Sequence, residues 1–436
     1  MDTKQPLALL GGLTPAQFMR QYWQKKPLLI RQAMPEVIGM FEPQDLQELA
    51  LEAGVTARLL LQQPAKSSSN STTDPISSQT KNHPKNHPKN HDQWTVKNSP
   101  LAAKDFKKLP TYWTLLVQAV DHWSPELASL WHHFDFIPEW RRDDVMISYA
   151  PKGGSVGKHF DYYDVFLVQG YGARRWQLGQ QCDATTPLVP NQPLRLLQEM
   201  PVWFDEVLQP GDMLYVPPGL AHYGVAENDC LTLSFGFRMP TAAQLMERWL
   251  DTALSDPRLQ IPLSLTALES QYATTANSGE MNAQMLAALQ AQVLQQLTET
   301  HRFADAALSL SSESRYPDTQ PEGEYFSADE LRELLAEGAT LQREPAVRLL
   351  YQSSPNLSDD TASASPASIR FWAQGEPLDV APPVQALLKR LADGEILSLY
   401  SEGIAWNRAE LEAVSHWLEH GVILLIGDDS DEALDD

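Results

Sequence analysis

The sequence predicts a mainly β core with helical additions, and three observations carry that reading. Short runs rich in β-branched and aromatic residues recur up to residue 240: DVMISYA, YDVFLVQG, RRWQLG, DMLYVPPG and CLTLSFGFR, with Gly and Pro between them. Such spacing fits an antiparallel sandwich or barrel rather than alternating βαβ units. A stretch over 241–303, TAAQLMERWLDTAL and MNAQMLAALQAQVLQQLTETHRF, instead places Leu, Met and Ala at helical spacing. After residue 322, capped helices and short strands alternate in the manner of a winged-helix module.

Taken in chain order, residues 1–61 read as short helices around one strand. Thr14 is a natural N-cap for TPAQFMRQYW, Gly54 ends PQDLQELALEAG, and the apolar run in QKKPLLIR predicts a strand. Residues 64–92 then change character. PAKSSSNSTTDPISSQTKNHPKNHPKNH has almost no large apolar side chains and reads as a disordered surface insertion. TYWTLLVQAVDHW reads as a helix leading into the barrel. The apolar stripe over 241–303 is either core or subunit interface. In the last unit, Ser327 with Glu330 and Asn407 with Glu410 stand in capping-box register, and Gly338 is a helix stop. VRLLYQ, IRFWAQ and VILLIG are strands, and DDSDEALDD is a frayed acidic end. The expected domains are therefore 1–240, 241–321 and 322–436.

Composition narrows the function classes. The 436 residues suggest about three domains. A net charge of −23 and a pI near 4.8 argue against a nucleic-acid footprint over the whole surface, and leave room for a basic protein partner, which an acidic field would steer in. Two cysteines, Cys182 and Cys230, provide no disulfide framework and no CxxC zinc site, which points to a reducing cytoplasm. MDTKQPLALLGGLTP makes a poor signal peptide, and no run approaches the ~20 apolar residues of a membrane span.

The chemistry concentrates in GKHFDYYDVFLVQGYGARRWQLG. His159 and Asp161 are spaced i, i+2, so on an extended chain both side chains aim at one side. His222, in GDMLYVPPGLAHYG, offers a third ligand from a distant strand. Two His and one carboxylate leave one face of an octahedral metal open, the arrangement of non-haem Fe(II) oxygenases. Arg174 lies past a glycine turn, on the next strand of a barrel running back antiparallel. A buried cation there would hold a dicarboxylate co-substrate, and the adjacent Arg175 competes for that role.

HFD, the QGYGARRW turn and PGDMLYVPPGLAH resemble the JmjC-type 2-oxoglutarate oxygenases of the cupin superfamily. The likeness is closer to the bacterial ribosomal oxygenases, which hydroxylate an arginine of a large-subunit ribosomal protein; QYWQKKPLLIR is similar to their opening motif. The resemblance implies a double-stranded β-helix (jelly roll), a helical dimerisation segment and a C-terminal winged-helix domain. It implies His159, Asp161 and His222 as Fe(II) ligands, Arg174 on the distal carboxylate of 2-oxoglutarate, and Ser148 near that co-substrate, with O2 as the second co-substrate. It also implies a homodimer and a basic ribosomal-protein substrate. Two rival readings are a JmjC oxygenase with another target, such as a histidine hydroxylase or lysine demethylase, and a non-enzymatic cupin interaction module.

Other motifs read as structural. His416 and His420 in HWLEH lack the Glu of a metalloprotease helix, since Trp417 stands there. His122, His132 and His133 complete no site. The KNHP repeat with His83, His87 and His91 reads as a tolerant loop expansion rather than a metal tract. Seven lysines against Asp92 and Asp105 over 81–108 read as a solvated linker, not an RNA contact. NRAELEAVSHWLEHG is too acidic for a DNA-recognition helix, so no direct DNA binding is expected.

Overall fold

A computed structural model describes residues 4–64, 92–264, 281–298, 302–316, 319, 322–353, 369–398 and 406–427. Most of the insertion, with its His tract, and the acidic tail lie outside them. The chain divides into two compact units, one of Met1–Pro138 with Arg142–Arg238 and one of Glu139–Arg141 with Met239–Asp436.

The first unit holds two antiparallel sheets. The larger has eight strands in the order β1 (Leu28–Ile30), β9 (Met213–Val216), β6 (Asp164–Tyr171), β11 (Cys230–Phe237), β5 (Arg142–Ala150), β4 (Tyr112–Val117), β2 (Ala57–Gln63), β3 (Gln93–Asn98). The smaller has β10 (Leu220–Ala226), β7 (Arg174–Gln181) and β8 (Phe204–Leu208). This is the jelly-roll architecture the sequence predicts. Its central strands are covered on both faces, which is why they read as unbroken apolar runs. On β6, Val165 and Leu167 join a core with Trp176, Leu178 and Leu208 of the smaller sheet. Phe166 and Val168 point the other way, into a core with Phe18, Trp23, Phe134 and Phe237. Phe18 comes from α1 (Pro15–Gln21), whose capping box pairs Thr14 with Gln17. The N-terminal helices thus plug the outer face of the large sheet.

Three expectations need correction. TYWTLLVQAVDHW is not a helix: Tyr112–Val117 is β4, paired with β2 and β5. Its aromatic and β-branched residues and its buried central position favour the extended chain over the helical period. Residues 1–61 are not all helices around one strand, because β2 begins at Ala57. Finally, β7 does not pair back on β6. The chain crosses at Gly172 into the smaller sheet, where β7 lies between β10 and β8. The insertion falls in the connection between β2 and β3, strands paired from Arg58↔Asn98 to Gln63↔Gln93.

The second unit carries helices Ala242–Leu254, Ala283–Thr298 and Arg302–Ser312, and a compact C-terminal body. That body packs helices Ala328–Ala336, Gln385–Ala392 and Arg408–Glu419 on two small sheets, β12–β16 and β13–β14–β15 (Thr340–Arg343, Ile423–Ile426, Leu350–Ser353, Ile369–Ala373 and Glu376–Leu378). Leu331, Leu388, Leu411 and Trp417 are buried at its centre. Both C-terminal capping boxes form as the sequence implies. No helix among the described residues is long and apolar enough to cross a membrane.

Candidate active site

A cavity of about 400 Å³ opens in the first unit, lined by the inner faces of the two sheets and the loop before β6. That loop is stitched to β10. His159 and His222 form an isolated antiparallel bridge, and Gly219 N donates to Asp161 O at 2.7 Å. Gly219 ends the Pro-Pro-Gly turn at φ +77°, and a Cβ there would sit 2.3 Å from Gln181 Nε2. The turn and the HFD loop are therefore built against each other.

The side chains follow. His159 Nδ1 donates to Gly157 O at 2.9 Å, and His222 Nδ1 donates to Leu220 O at 3.0 Å. A carbonyl only accepts, so both protons sit on Nδ1 and both Nε2 lone pairs are free. Asp161 Oδ2 lies 3.7 Å from His159 Nε2 and 3.6 Å from His222 Nε2. These separations are too long for hydrogen bonds, yet they suit two ligands of one ion with bonds of about 2.1 Å. Burial, and next the neighbouring His159, lower the pKa of His222 to about 4, so its imidazole is neutral at neutral pH. The donor set thus fits a divalent metal.

Strand alternation turns Arg174 and Arg175 to opposite sides of the sheet. Arg175 points outward and pairs with Glu227 and Asp205. Arg174 is buried at 2% exposure and lines the cavity. Its Nη1 donates to Ser148 Oγ at 3.2 Å, while Nε and Nη2 are buried with no hydrogen-bond partner. A buried guanidinium left half-satisfied costs several kcal/mol unless an anion completes it. The site therefore fits a carboxylate ligand as well as a metal. Ser148 is held in turn by Thr232 O.

Sequence reasoning missed part of the lining. Trp176, two residues beyond Arg174 on the same face of β7, has a buried indole N–H without a partner. The i, i+2 spacing in RRW could have flagged it. Tyr163, Met146, Ser234 and Arg238 also line the cavity. Arg238 lies 4.0 Å over the Tyr163 ring and pairs with Asp143, a contact that no local motif announces. The decoys stay outside. His133 pairs with Glu36, and His416, Glu419 and His420 form an exposed cluster in the other unit.

Comparison with known proteins finds matches in both units. Residues 129–245 match the JmjC domain, and residues 284–422 match the ROXA-like winged helix. The chain is 40% identical over 435 residues to the "Probable ribosomal oxygenase" of Haemophilus influenzae, covering 95% of this chain and 96% of that one. The chain belongs to the ribosomal oxygenase family. It is also 30% identical to the "Ribosomal protein uL16 3-hydroxylase" of Escherichia coli, over 86% of this chain and 88% of that one. Among solved structures, the E. coli ribosomal oxygenase YcfD with cobalt and succinic acid aligns at TM-score 0.72 and 26% identity, covering 95% of this chain and 99% of that one. YcfD with cobalt and 2-oxoglutarate aligns at TM-score 0.70 and 27% identity, with the same coverage. A ribosomal oxygenase of this make-up is a 2-oxoglutarate-dependent oxygenase with a JmjC cupin fold, Fe(II) as its metal, and 2-oxoglutarate and O2 as co-substrates.

Proposed function

We propose that this ribosomal oxygenase hydroxylates an arginine side chain of a large-subunit ribosomal protein, with His159, Asp161 and His222 as the metal ligands and Arg174 and Ser148 as the co-substrate anchor. The observation that carries the reading is the convergence of two free Nε2 lone pairs and one carboxylate beside a buried, half-satisfied guanidinium. The E. coli relative is named as a hydroxylase of a ribosomal protein, uL16.

The chain's own groups perform distinct tasks. His159 and His222, through their imidazole nitrogens, and Asp161, through a carboxylate oxygen, would hold the ion. Arg174 Nε and Nη2 take the distal carboxylate of 2-oxoglutarate, and Ser148 fixes the guanidinium through Nη1. Bound Fe(II) supplies oxygen activation, coupled to oxidative decarboxylation of 2-oxoglutarate to succinate and carbon dioxide. Tyr163, Trp176 and Leu167 wall the cavity and limit water around the reacting carbon.

The same reading includes a cytoplasmic homodimer without direct DNA binding, organised as 1–240, 241–321 and 322–436. Exposed Met246, Leu250 and Leu254 on one face of helix Ala242–Leu254, with exposed Leu286, Val293 and Leu294 on helix Ala283–Thr298, support a subunit interface. Glu410, Glu412 and Glu419 on helix Arg408–Glu419 argue against a DNA-recognition role. Light scattering of the purified chain tests the dimer.

The test of function is intact-mass analysis of ribosomes treated with enzyme, Fe(II) and 2-oxoglutarate. Gain of one oxygen on a large-subunit protein, placed on arginine by fragmentation, is the expected result. Loss of a methylene would mean demethylation instead, and oxygen on histidine a different hydroxylase.

A further inference from the structure

The cavity mouth is charged in a way that the overall acidity hides. Among the described residues the lining carries four arginines, Arg58, Arg174, Arg195 and Arg238, against one carboxylate, Asp161. Two of the four are accounted for. Arg174 is the deep anchor, and Arg238 is held by Asp143 and the Tyr163 ring. Arg58 and Arg195 have no carboxylate partner among the described residues. Both are exposed, so they stand at the rim.

Sheet register locates Arg58. It pairs across β2 and β4 with Leu116, and Leu116 pairs across β4 and β5 with Ser148. Cross-strand partners share a face, so Arg58, Leu116 and Ser148 form one row on the cavity side, about 10 Å long over two strand spacings. Arg195 belongs to the loop bridged at Leu188↔Leu197, and its guanidinium lies 5.9 Å from the centre of the exposed Tyr162 ring. Tyr162 follows the metal-site residue Asp161.

Two uncompensated guanidinium groups at the rim repel the kind of segment the cavity is read to accept, an arginine among basic neighbours. The repulsion becomes attraction if the segment brings a carboxylate. We infer that Arg58 and Arg195 form a carboxylate-reading pair at the cavity mouth, which selects a target residue with an acidic side chain a few positions away in the substrate polypeptide. The inference rests on the proposed function and adds a sequence preference to it. The long-range acidic field attracts basic proteins in general, and the rim pair chooses among their segments.

The test uses the full chain loaded with Mn(II) and 2-oxoglutarate and two fluorescein-labelled peptides. Each carries one arginine in a basic sequence, and they differ only in Glu or Gln at flanking positions. Wild type should bind the Glu peptide about fivefold more tightly or better, the scale of two exposed ion pairs, and the margin should shrink with salt. Arg58→Gln/Arg195→Gln should erase the preference, and Arg58→Lys/Arg195→Lys should keep most of it. Equal affinity of wild type for both peptides, or no binding of the Glu peptide, overturns the inference. So does displacement of the Glu peptide by an oligoribonucleotide that binds more tightly, which would make the rim a phosphate contact. Wild type that adds oxygen to a ribosomal protein yet binds both peptides alike sinks this inference alone; wild type that prefers the Glu peptide yet adds no oxygen sinks the hydroxylase reading alone.

Discussion

His159 and His222 are joined through their own peptide groups: His159 N donates to His222 O at 3.1 Å, and His222 N donates to His159 O at 2.8 Å. The two imidazoles therefore hang from one small antiparallel bridge, with ring centres 4.2 Å apart. Neither side chain is needed to make that bridge. His159→Ala and His222→Ala should accordingly keep the fold and lose the metal. Equilibrium dialysis should show metal affinity down by about 100-fold or more, with melting temperature within a few degrees of wild type. A variant that kept both metal and succinate production would contradict the ligand assignment.

Arg174→Ala removes the only buried arginine or lysine beside the triad among the described residues. The half-maximal 2-oxoglutarate concentration should rise by about 10- to 100-fold, the scale of a lost charge-assisted bond. Ser148→Ala removes one acceptor from the same guanidinium and should raise it by about fivefold. Titration of 2-oxoglutarate against succinate formed, at saturating metal, separates the two.

Asp121 ties the aromatic core to a site strand. Its Oδ1 accepts from Val145 N on β5 at 2.8 Å, and its Oδ2 accepts from Trp131 Nε1 at 2.9 Å. Asp121→Ala leaves two buried donors unsatisfied and should cost about 3 kcal/mol in denaturant unfolding. A loss within experimental error would mean the strand is held by its sheet partners alone.

Gly172 makes the crossing from β6 to β7 possible. It has φ +60°, and a Cβ there would stand 2.0 Å from Asp229 O. Gly172→Ala should destabilise the first unit by about 1–3 kcal/mol and weaken 2-oxoglutarate binding, because Arg174 begins the strand that follows. Unchanged binding in a folded variant would separate Arg174 placement from the crossing.

Tyr149 gives a pH signature. Burial, and next Asp229, raise its hydroxyl from an ordinary value of 10 to about 12. The folded state thus favours the protonated phenol. The associated stability is full below pH 10 and declines as pH rises towards 12. Tyr149→Phe should flatten that part of the stability profile. An equally steep decline in the variant would assign it to other groups.

The site was more legible than the fold around it. HFD, RRW and PPGLAH carry their chemistry in local spacing, so the sequence named the residues that the bridge later brings together. Alternation along β7 needed the structure, because RR gives two adjacent cations and only burial separates Arg174 from Arg175. Tyr112–Val117 misread as helix because a strand buried on both faces shows no period of two. Arg58 and Arg238 were invisible for another reason. Their positions depend on strand order and on Asp143, which no window of sequence joins to them.

Whether Arg174 anchors the co-substrate of a ribosomal-protein hydroxylase is best tested by intact-mass analysis of ribosomes treated with wild type, Arg174→Ala and Asp161→Ala under Fe(II) and 2-oxoglutarate. Wild type should add one oxygen to an arginine of one large-subunit protein, Arg174→Ala little at limiting 2-oxoglutarate, and Asp161→Ala none. Unmodified ribosomal proteins with metal-loaded wild type, or full modification by Asp161→Ala, would overturn the hydroxylase reading.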